Sequence, residues 1–297
     1  MTEQALVSIR DPHLDPFAGL DWRERLARLR QRIAALGRVV VAYSGGVDSS
    51  VVLRVAHEQL GAGALAVIGR SDSYALRELD LALAQAADIG ATVEVVRTGE
   101  LANPDFASNP ADRCYHCKSE LYRQLTAVAA RFGATTILDG TIADDVHDHR
   151  PGRRAAAESR VLSPLAELGF CKADVRAVAA HLGLASSAKP ASPCLASRIP
   201  YGTTITPGIL SQVERAEQAL RDLGFDDLRV RHHGDVARVE VPVDDLPRLL
   251  EPALRQAAVD ALRTAGYRFV SVDLEGLRSG SLNRVLDSSQ ESSPRQN

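Results

Sequence analysis

Residues 38–50, RVVVAYSGGVDSS, decide how the chain begins to fold. The run Val39-Val40-Val41-Ala42 is short, largely β-branched and free of polar residues, the pattern of a strand buried on both faces of a parallel sheet. It ends on Ser44-Gly45-Gly46-Val47-Asp48-Ser49-Ser50, after which a helical pattern begins near Asp48. Parallel sheets bind ligands at the C-terminal ends of their strands. Gly45 and Gly46 let the backbone approach an anion, and the hydroxyls of Ser44, Ser49 and Ser50 supply donors. The N–H groups opening the helix add partial positive charge, so a phosphate is the expected guest.

The spacing is neither Gly-x-x-x-x-Gly-Lys-Ser/Thr nor Gly-x-Gly-x-x-Gly, which excludes the two commonest nucleotide fingerprints. Ser-Gly-Gly-x-Asp-Ser after a hydrophobic strand resembles the pyrophosphate-binding loop of the PP-loop ATP pyrophosphatases. That resemblance implies ATP binding by Ser44, Gly45, Gly46, Asp48, Ser49 and Ser50, with Mg2+ neutralising charge. It also implies cleavage of ATP between the α and β phosphates, adenylation of a carbonyl or carboxylate, and release of AMP.

Outward from this loop, helical and extended patterns alternate. Trp22, Leu26, Leu29 and Ile33 predict a helix over 22–36, and Val51–Leu60 is helical. Ala64–Ile68 reads as a strand, Leu76, Leu79 and Leu83 mark a helix, and Ala91–Val96 is a strand. Leu121, Leu125 and Val128 mark another helix, and Thr135–Leu138 a fourth strand. Such alternation implies α/β architecture with a parallel sheet, and the PP-loop resemblance implies that this sheet is Rossmann-like, of the adenine nucleotide alpha hydrolase type. Asp139-Gly140-Thr141 leaves the fourth strand on the same rim as Ser44, so Gly140 and Thr141 are candidate ATP contacts. Ser71 and Arg77, beyond the second strand, are further candidates for the adenylate or for a helix surface.

Residues 1–185 are assigned to the nucleotide domain and 186–207, rich in Ser, Pro, Ala and Gly, to a functional loop. Residues 208–276 read as a smaller α/β domain with a helix over 209–223 and strands at 228–232 and 236–241 turning at His233-Gly234-Asp235. A helical stretch over 244–265, interrupted at Pro247 and Pro252, precedes a last strand at 268–274. The remainder, 277–297, lacks the apolar content to order itself.

At 297 residues, with 45% hydrophobic and 25% charged residues, the composition is that of a globular protein of about two domains. No segment approaches the ~18 apolar residues of a membrane span, and the first 21 residues lack a signal-peptide core, so a cytoplasmic location is expected. A net charge of −3 gives no footprint for nucleic acid and counts against a tRNA-modifying role.

Four cysteines in such a chain argue for chemistry or metal binding rather than a disulfide framework. Cys171, at a helix start, reads as structural. Cys194 lies in the irregular Lys189-Pro190-Ala191-Ser192-Pro193-Cys194-Leu195-Ala196-Ser197-Arg198 segment, among cations of the kind that favour a reactive thiolate. Cys114 and Cys117 are compatible with a redox pair, half a zinc site or part of an iron-sulfur site; with Cys194 they make three soft ligands. Arg229 and Arg231 alternate on one strand and share a face, and with Arg198 they are candidates to grip a phosphate or carboxylate.

Asp139-Gly140-Thr141-x-Ala143-Asp144-Asp145, Arg150-Pro151-Gly152, Ser163-Pro164-Leu165, Lys189-Pro190 and Cys194-Leu195-Ala196-Ser197-Arg198-Ile199-Pro200-Tyr201-Gly202 together resemble the LarE family over residues 22–275. Ile142 stands where that family often carries Asn. The resemblance implies an ATP-dependent sulfur transferase acting on a small nucleotide, pyridinium-3,5-biscarboxylic acid mononucleotide. Its dithiocarboxylic product is the precursor of the nickel-pincer cofactor of lactate racemase. The resemblance places Lys118, Ser197, Arg198, Arg229 and Arg231 in the substrate or phosphate region, and implies a homo-oligomer, in some members a hexamer. It offers two sulfur sources: Cys194 itself, sacrificed to leave dehydroalanine, or a [4Fe-4S] cluster on Cys114, Cys117 and Cys194, which the Cys-x-x-Cys pair favours. The alternatives are an amidating PP-loop ligase of GMP or NAD synthetase type, a tRNA thiolation enzyme, and a non-catalytic ATP-binding module.

Overall fold

A computed structural model describes residues 17, 19–146, 151–190, 192–278 and 282; Arg150, Ala191 and most of the tail over 277–297 lie outside the described residues. Helix α1 (Trp22–Ala34) opens on a capping box in which the Asp21 carboxylate accepts from the N–H of Glu24 and Glu24 returns the bond. Four strands follow, β1 (Val39–Ala42), β2 (Ala64–Arg70), β3 (Thr92–Arg97) and β4 (Thr136–Leu138), all parallel and ordered β3-β2-β1-β4. Between and beyond them run α2 (Val47–Leu60), α3 (Leu76–Ile89), α4 (Pro104–Ala107), α5 (Arg113–Phe132), α6 (Gly152–Glu158), α7 (Pro164–Glu167) and α8 (Lys172–His181). The α/β reading with a Rossmann-like parallel sheet therefore holds.

Strand β1 shows why an unbroken apolar run was needed. Val39 and Val41 enter a core with α1, α2, α3 and α8, while Val40 enters one with α5 and α6; all three are fully buried. Successive side chains of a strand point to opposite faces, so a sheet covered on both faces needs apolar residues at every position.

A second, three-stranded sheet contains β5 (Arg229–His233), β6 (Val236–Glu240) and β7 (Phe269–Val272) in that order. β5 and β6 form an antiparallel hairpin turning at Gly234-Asp235, where Gly234 takes φ +62°, and β7 returns parallel to β6 through α10 (Leu246–Leu249) and α11 (Pro252–Thr264). Helix α9 (Pro207–Asp222), capped by the Thr206 hydroxyl accepting from the Ile209 N–H, packs Ala216 and Leu220 into this sheet's own core beside Phe225, Val230 and Leu262.

Two local expectations change. The α3 helix is present, but Leu76 and Leu83 are exposed, and its buried stripe is Leu79, Ala82, Ala86 and Ile89. Small alanines hold that face because β1 leads into a turn pressed against it: a Cβ on Gly45 would stand 2.6 Å from Ala82 Cβ. Helix α5 starts eight residues before Leu121, at Arg113, which places Cys114 and Cys117 one turn apart on its first turns.

Candidate active site

The phosphate loop keeps its donors available. Gly46 is the N-cap of α2 and has no side chain to satisfy the first-turn N–H groups. The serine hydroxyls turn back on the loop instead: Ser49 and Ser50 donate to the Gly46 carbonyl at 3.1 and 2.8 Å, and Ser44 Oγ lies 3.1 Å from Ser49 Oγ. Gly45 has φ +70°, a conformation that L side chains rarely adopt. Gly140, from the end of β4, presses on the same loop, since a Cβ there would stand 2.6 Å from Ser49 N and 2.9 Å from the Asp48 carbonyl carbon. Gly140 thus stands on the loop's rim, whereas the Thr141 hydroxyl is committed to Asp139 Oδ2 at 2.8 Å. Buried Asp139 also accepts from Ser163 and Tyr122, and burial pushes the Tyr122 phenol up to about 12.

Two lysines not among the residues expected to bind ATP flank the loop. Lys172 Nζ stands 2.8 Å from both carboxylate oxygens of Asp48. Lys189 Nζ donates to the Gly45 carbonyl at 3.4 Å and pairs with Glu78 at 2.7 Å.

The Cys194 segment forms the opposite wall. Cys194 is exposed at the N-cap of a short turn, Leu195–Arg198, whose Leu195 N–H donates to the Ser73 carbonyl beyond β2 at 2.8 Å. Asn109, fully buried at φ +58°, clamps the downstream chain by donating to the carbonyls of Ile199 and Pro200 while accepting from Arg113. Leu195, Ala196, Ile199 and Ile205 pack with Phe106 and Val213, with Cys117 at the edge of that cluster.

The three predicted arginines come together here. Arg198 donates through Nε and Nη2 to Glu217 at 2.8 and 3.1 Å, and through Nη1 to the carbonyls of Pro193 and Cys194 and to Ser197 Oγ. Its guanidinium thus fixes the backbone of the cysteine loop. Arg231 pairs with Glu240 through two bonds and donates to the Ser197 carbonyl at 2.8 Å. Buried Arg229 differs from both: its hydrogen bond goes to the Arg278 carbonyl, and burial, then Arg231 and Arg198, hold its pKa below the usual value. Arg221 also pairs with Glu217 and Arg238 with Glu240, and Asp227 acts on Arg229 beside Glu240.

A cavity of about 500 Å³ joins the two walls; Gly45, Arg77, Lys189, Ser192, Arg198 and Arg229 are among its lining. Arg77 therefore faces the shared space. Ser71, bonded to Ser73 Oγ at 2.9 Å, stands outside that lining and braces the segment that holds Leu195. Lys118 lies on the β4 side, its ammonium 5.6 Å from the Tyr122 ring, and Tyr122 and Asp139 raise its pKa.

None of the four cysteines is in a disulfide. Cys171 caps α8 and donates to Asp174 at 3.2 Å, in keeping with a structural thiol. Cys114, Cys117 and Cys194 are electrostatic neighbours: Cys194 and Cys114 both act on the Cys117 thiol, which burial and then Glu100 push well above the usual range, and both act on Tyr201. Among the described residues no three His, Cys, Asp or Glu side chains stand close enough to hold a single metal ion. A four-iron cluster presents a separate iron to each thiolate, so its ligands need not converge on one point as those of a single ion do.

Across 89% of the chain and 95% of the relative, the sequence is 40% identical to pyridinium-3,5-bisthiocarboxylic acid mononucleotide synthase of Lactiplantibacillus plantarum. The chain belongs to the LarE family. An uncharacterized Synechocystis protein is 45% identical over 88% of the chain and 98% of its own length. Argininosuccinate synthase of Synechococcus elongatus is 29% identical over 58% of the chain and 47% of its own length, which agrees with the Rossmann-like PP-loop architecture of this LarE-family chain. No family model matches. Among the described residues of this LarE-family member, no helix is long and apolar enough to cross a membrane.

The residues missed in the sequence left signals. Glu217 interrupts the apolar stripe of α9, and Lys172 puts a cation at a helix N-terminus, where the macrodipole opposes it.

Proposed function

We propose that this chain is an ATP-dependent sulfur transferase that converts pyridinium-3,5-biscarboxylic acid mononucleotide to its dithiocarboxylic form. The observation that carries this reading is the one cavity shared by the phosphate loop, through Gly45, and the arginine wall behind Cys194, through Arg198 and Arg229. ATP lies with its β and γ phosphates on the first-turn N–H groups of α2, and Lys189 adds charge beside Gly45. A substrate carboxylate oxygen attacks the α phosphorus. The bond from that phosphorus to the bridging oxygen breaks, pyrophosphate leaves, and an acyl adenylate remains.

The substrate's own phosphate is held by Arg229 with Arg198 and Ser197, which keeps the activated carbonyl within reach of position 194. In the sacrificial route the Cys194 sulfur attacks that carbonyl and AMP leaves. Loss of the Cys194 Cα proton then breaks the Cβ–S bond, giving a thiocarboxylate and dehydroalanine. Mg2+ supplies charge neutralisation at the polyphosphate, and Asp48 is the loop carboxylate that would hold it. In the second route, favoured by the Cys-x-x-Cys pair, Cys114, Cys117 and Cys194 would hold a [4Fe-4S] cluster whose open iron supplies sulfide. The nucleotide part is assigned to 1–185, the cysteine loop to 186–207 and the substrate part to 208–276, acting in the cytoplasm as a homo-oligomer.

Cys194→Ala tests the reading. The variant should still form AMP and pyrophosphate slowly with the dicarboxylate substrate, yet yield no thiocarboxylate; thiolation at the parental rate would refute it. Anaerobically purified protein with about four irons per chain supports the cluster, while loss of one hydrogen sulfide from the Cys194 peptide after turnover supports the sacrificial route.

A further inference from the structure

We propose that Lys172 is the resident counter-cation of the phosphate loop. In the nucleotide-free chain its ammonium occupies Asp48, and it moves to the polyphosphate when a divalent ion takes over that carboxylate. The proposal rests on ATP binding at this loop, as argued above.

The contact is two-pronged, with Nζ 2.8 Å from each Asp48 oxygen. Asp48 lies in the first turn of α2 and Lys172 is the first residue of α8, so the ion pair stands between two helix N-termini, that of α8 being met by Asp144 and Asp174 and that of α2 having no side-chain cap. The backbone of Lys172 is anchored, because its N–H donates to Asp144 Oδ2 at 2.9 Å and the Asp174 carboxylate accepts from the Cys171 N–H at 3.1 Å. The side chain is not anchored in this way. Its four-carbon stem can swing the ammonium while α8 stays in place. The pair is also partly open to solvent, with side chains 40% and 28% exposed, so the ions hold each other only weakly and can exchange partners. A cation at a helix start runs against the local electrostatic preference, and such a violation is expected where charge serves binding.

Deleting the ammonium then has opposite effects on two ligands. A divalent ion loses its competitor for Asp48 and binds more tightly, while metal-free pyrophosphate loses a cation and binds more weakly. A merely structural tie between α2 and α8 would not separate the two. The test uses the full-length chain: Mn2+ binding followed by electron paramagnetic resonance, and metal-free pyrophosphate binding by calorimetry. Lys172→Gln should bind Mn2+ about fivefold more tightly and pyrophosphate about tenfold more weakly. Lys172→Arg should hold pyrophosphate within about threefold of the parental chain. Asp48→Asn, which releases the ammonium, should bind metal-free pyrophosphate at least as tightly as the parental chain. The proposal is overturned if Lys172→Gln leaves Mn2+ affinity unchanged, weakens both ligands together, or if neither protein binds Mn2+. Should Lys172→Gln fail to fold, weaker pyrophosphate binding by Asp48→Asn overturns it. A parental chain that binds neither ATP nor pyrophosphate refutes the nucleotide reading instead, and the Mn2+ comparison still decides the competition for Asp48.

Discussion

Replacing Glu217 should loosen the whole arginine wall. Glu217 is 1% exposed, and its carboxylate accepts from Arg198 Nε and Nη2, from Arg221 Nη2 at 3.0 Å and from the Val230 N–H at 3.1 Å. One side chain thus ties the cysteine loop to α9 and β5. At 2.8 Å and an effective dielectric of about 20, the direct Arg198 attraction is roughly 6 kcal/mol. Desolvation offsets much of that, so the pair adds little net, but removing one partner leaves a buried guanidinium uncompensated at a cost of about 3–5 kcal/mol. The orphaned Val230 N–H adds roughly 1–3 kcal/mol. Glu217→Ala should therefore lose about 4 kcal/mol or more in chemical denaturation, with a melting temperature lower by roughly 8–16 °C. Glu217→Gln keeps an acceptor for Val230 and should lose less. The double variant Arg198→Met with Glu217→Leu should lose less than Glu217→Ala alone, because no buried charge is stranded. Inorganic phosphate should stabilise Glu217→Gln more than the parental chain, as the released guanidinium gains an anion. A Glu217→Ala protein within about 1 kcal/mol of parental stability would refute this account of the wall.

Gly140→Ala places a Cβ against the Asp48–Ser49 backbone, which has no flexible end to move; it should cost about 1–3 kcal/mol and weaken ATP binding, measured by calorimetry. Asn109→Ala removes the clamp on Ile199 and Pro200 and should cost about 2 kcal/mol, with faster amide exchange over 199–205 as the specific sign. Burial, and then His233, depress the His232 pKa below 6.5, so the unfolded state binds more protons. Its contribution is complete above pH ~6.5 and is lost as pH falls through the depressed folded value; His232→Gln should flatten the decline in stability between pH 7 and 5.

The parallel sheet was legible because β1, β2 and β4 are buried strands, and burial on both faces demands the apolar runs that 39–42, 64–68 and 135–138 display. Less legible was the inward face of α3, where Leu76 and Leu83 gave a misleading stripe. Leucine reports hydrophobicity, while the true stripe is set by how closely Gly45 and its strand approach, which favours alanine. Within the site, Ser44–Ser50, Gly140, Arg198, Arg229 and Cys194 could be placed because glycines, loop position and strand alternation are local signals. Lys172 and Glu78 could not, since each acts through a partner far along the chain, 124 residues separating Lys172 from Asp48, and Glu217 and Glu240, with partners 19 and 9 residues away, carry no local mark of the pairing. Only the folded chain decides which of many surface-type charges face one another.

The proposed function has a chain of net charge −3 bind two anions, which is feasible because charge acts over distances much shorter than the molecule. The screening length is about 8–10 Å at ordinary ionic strength, so the cavity responds to its own walls and not to the total. On the loop side, Lys172 and Lys189 are held by Asp48 and Glu78 through contacts that are at least partly open to solvent. On the far side, Arg198 and Arg231 are locked by buried Glu217 and Glu240. The two arrangements suit different tasks. The more open Lys172–Asp48 pair exchanges partners at little cost, which fits the proposed polyphosphate that arrives and leaves as pyrophosphate. Buried bidentate arginine pairs hold geometry, which suits a wall that must keep a substrate carbonyl aligned with Cys194 while its leaving group changes. Arg229, buried and in no ion pair among the described residues, has burial, Arg231 and Arg198 lowering its pKa and Glu240 and Asp227 acting against them, which is why the proposed function sets the substrate phosphate beside it.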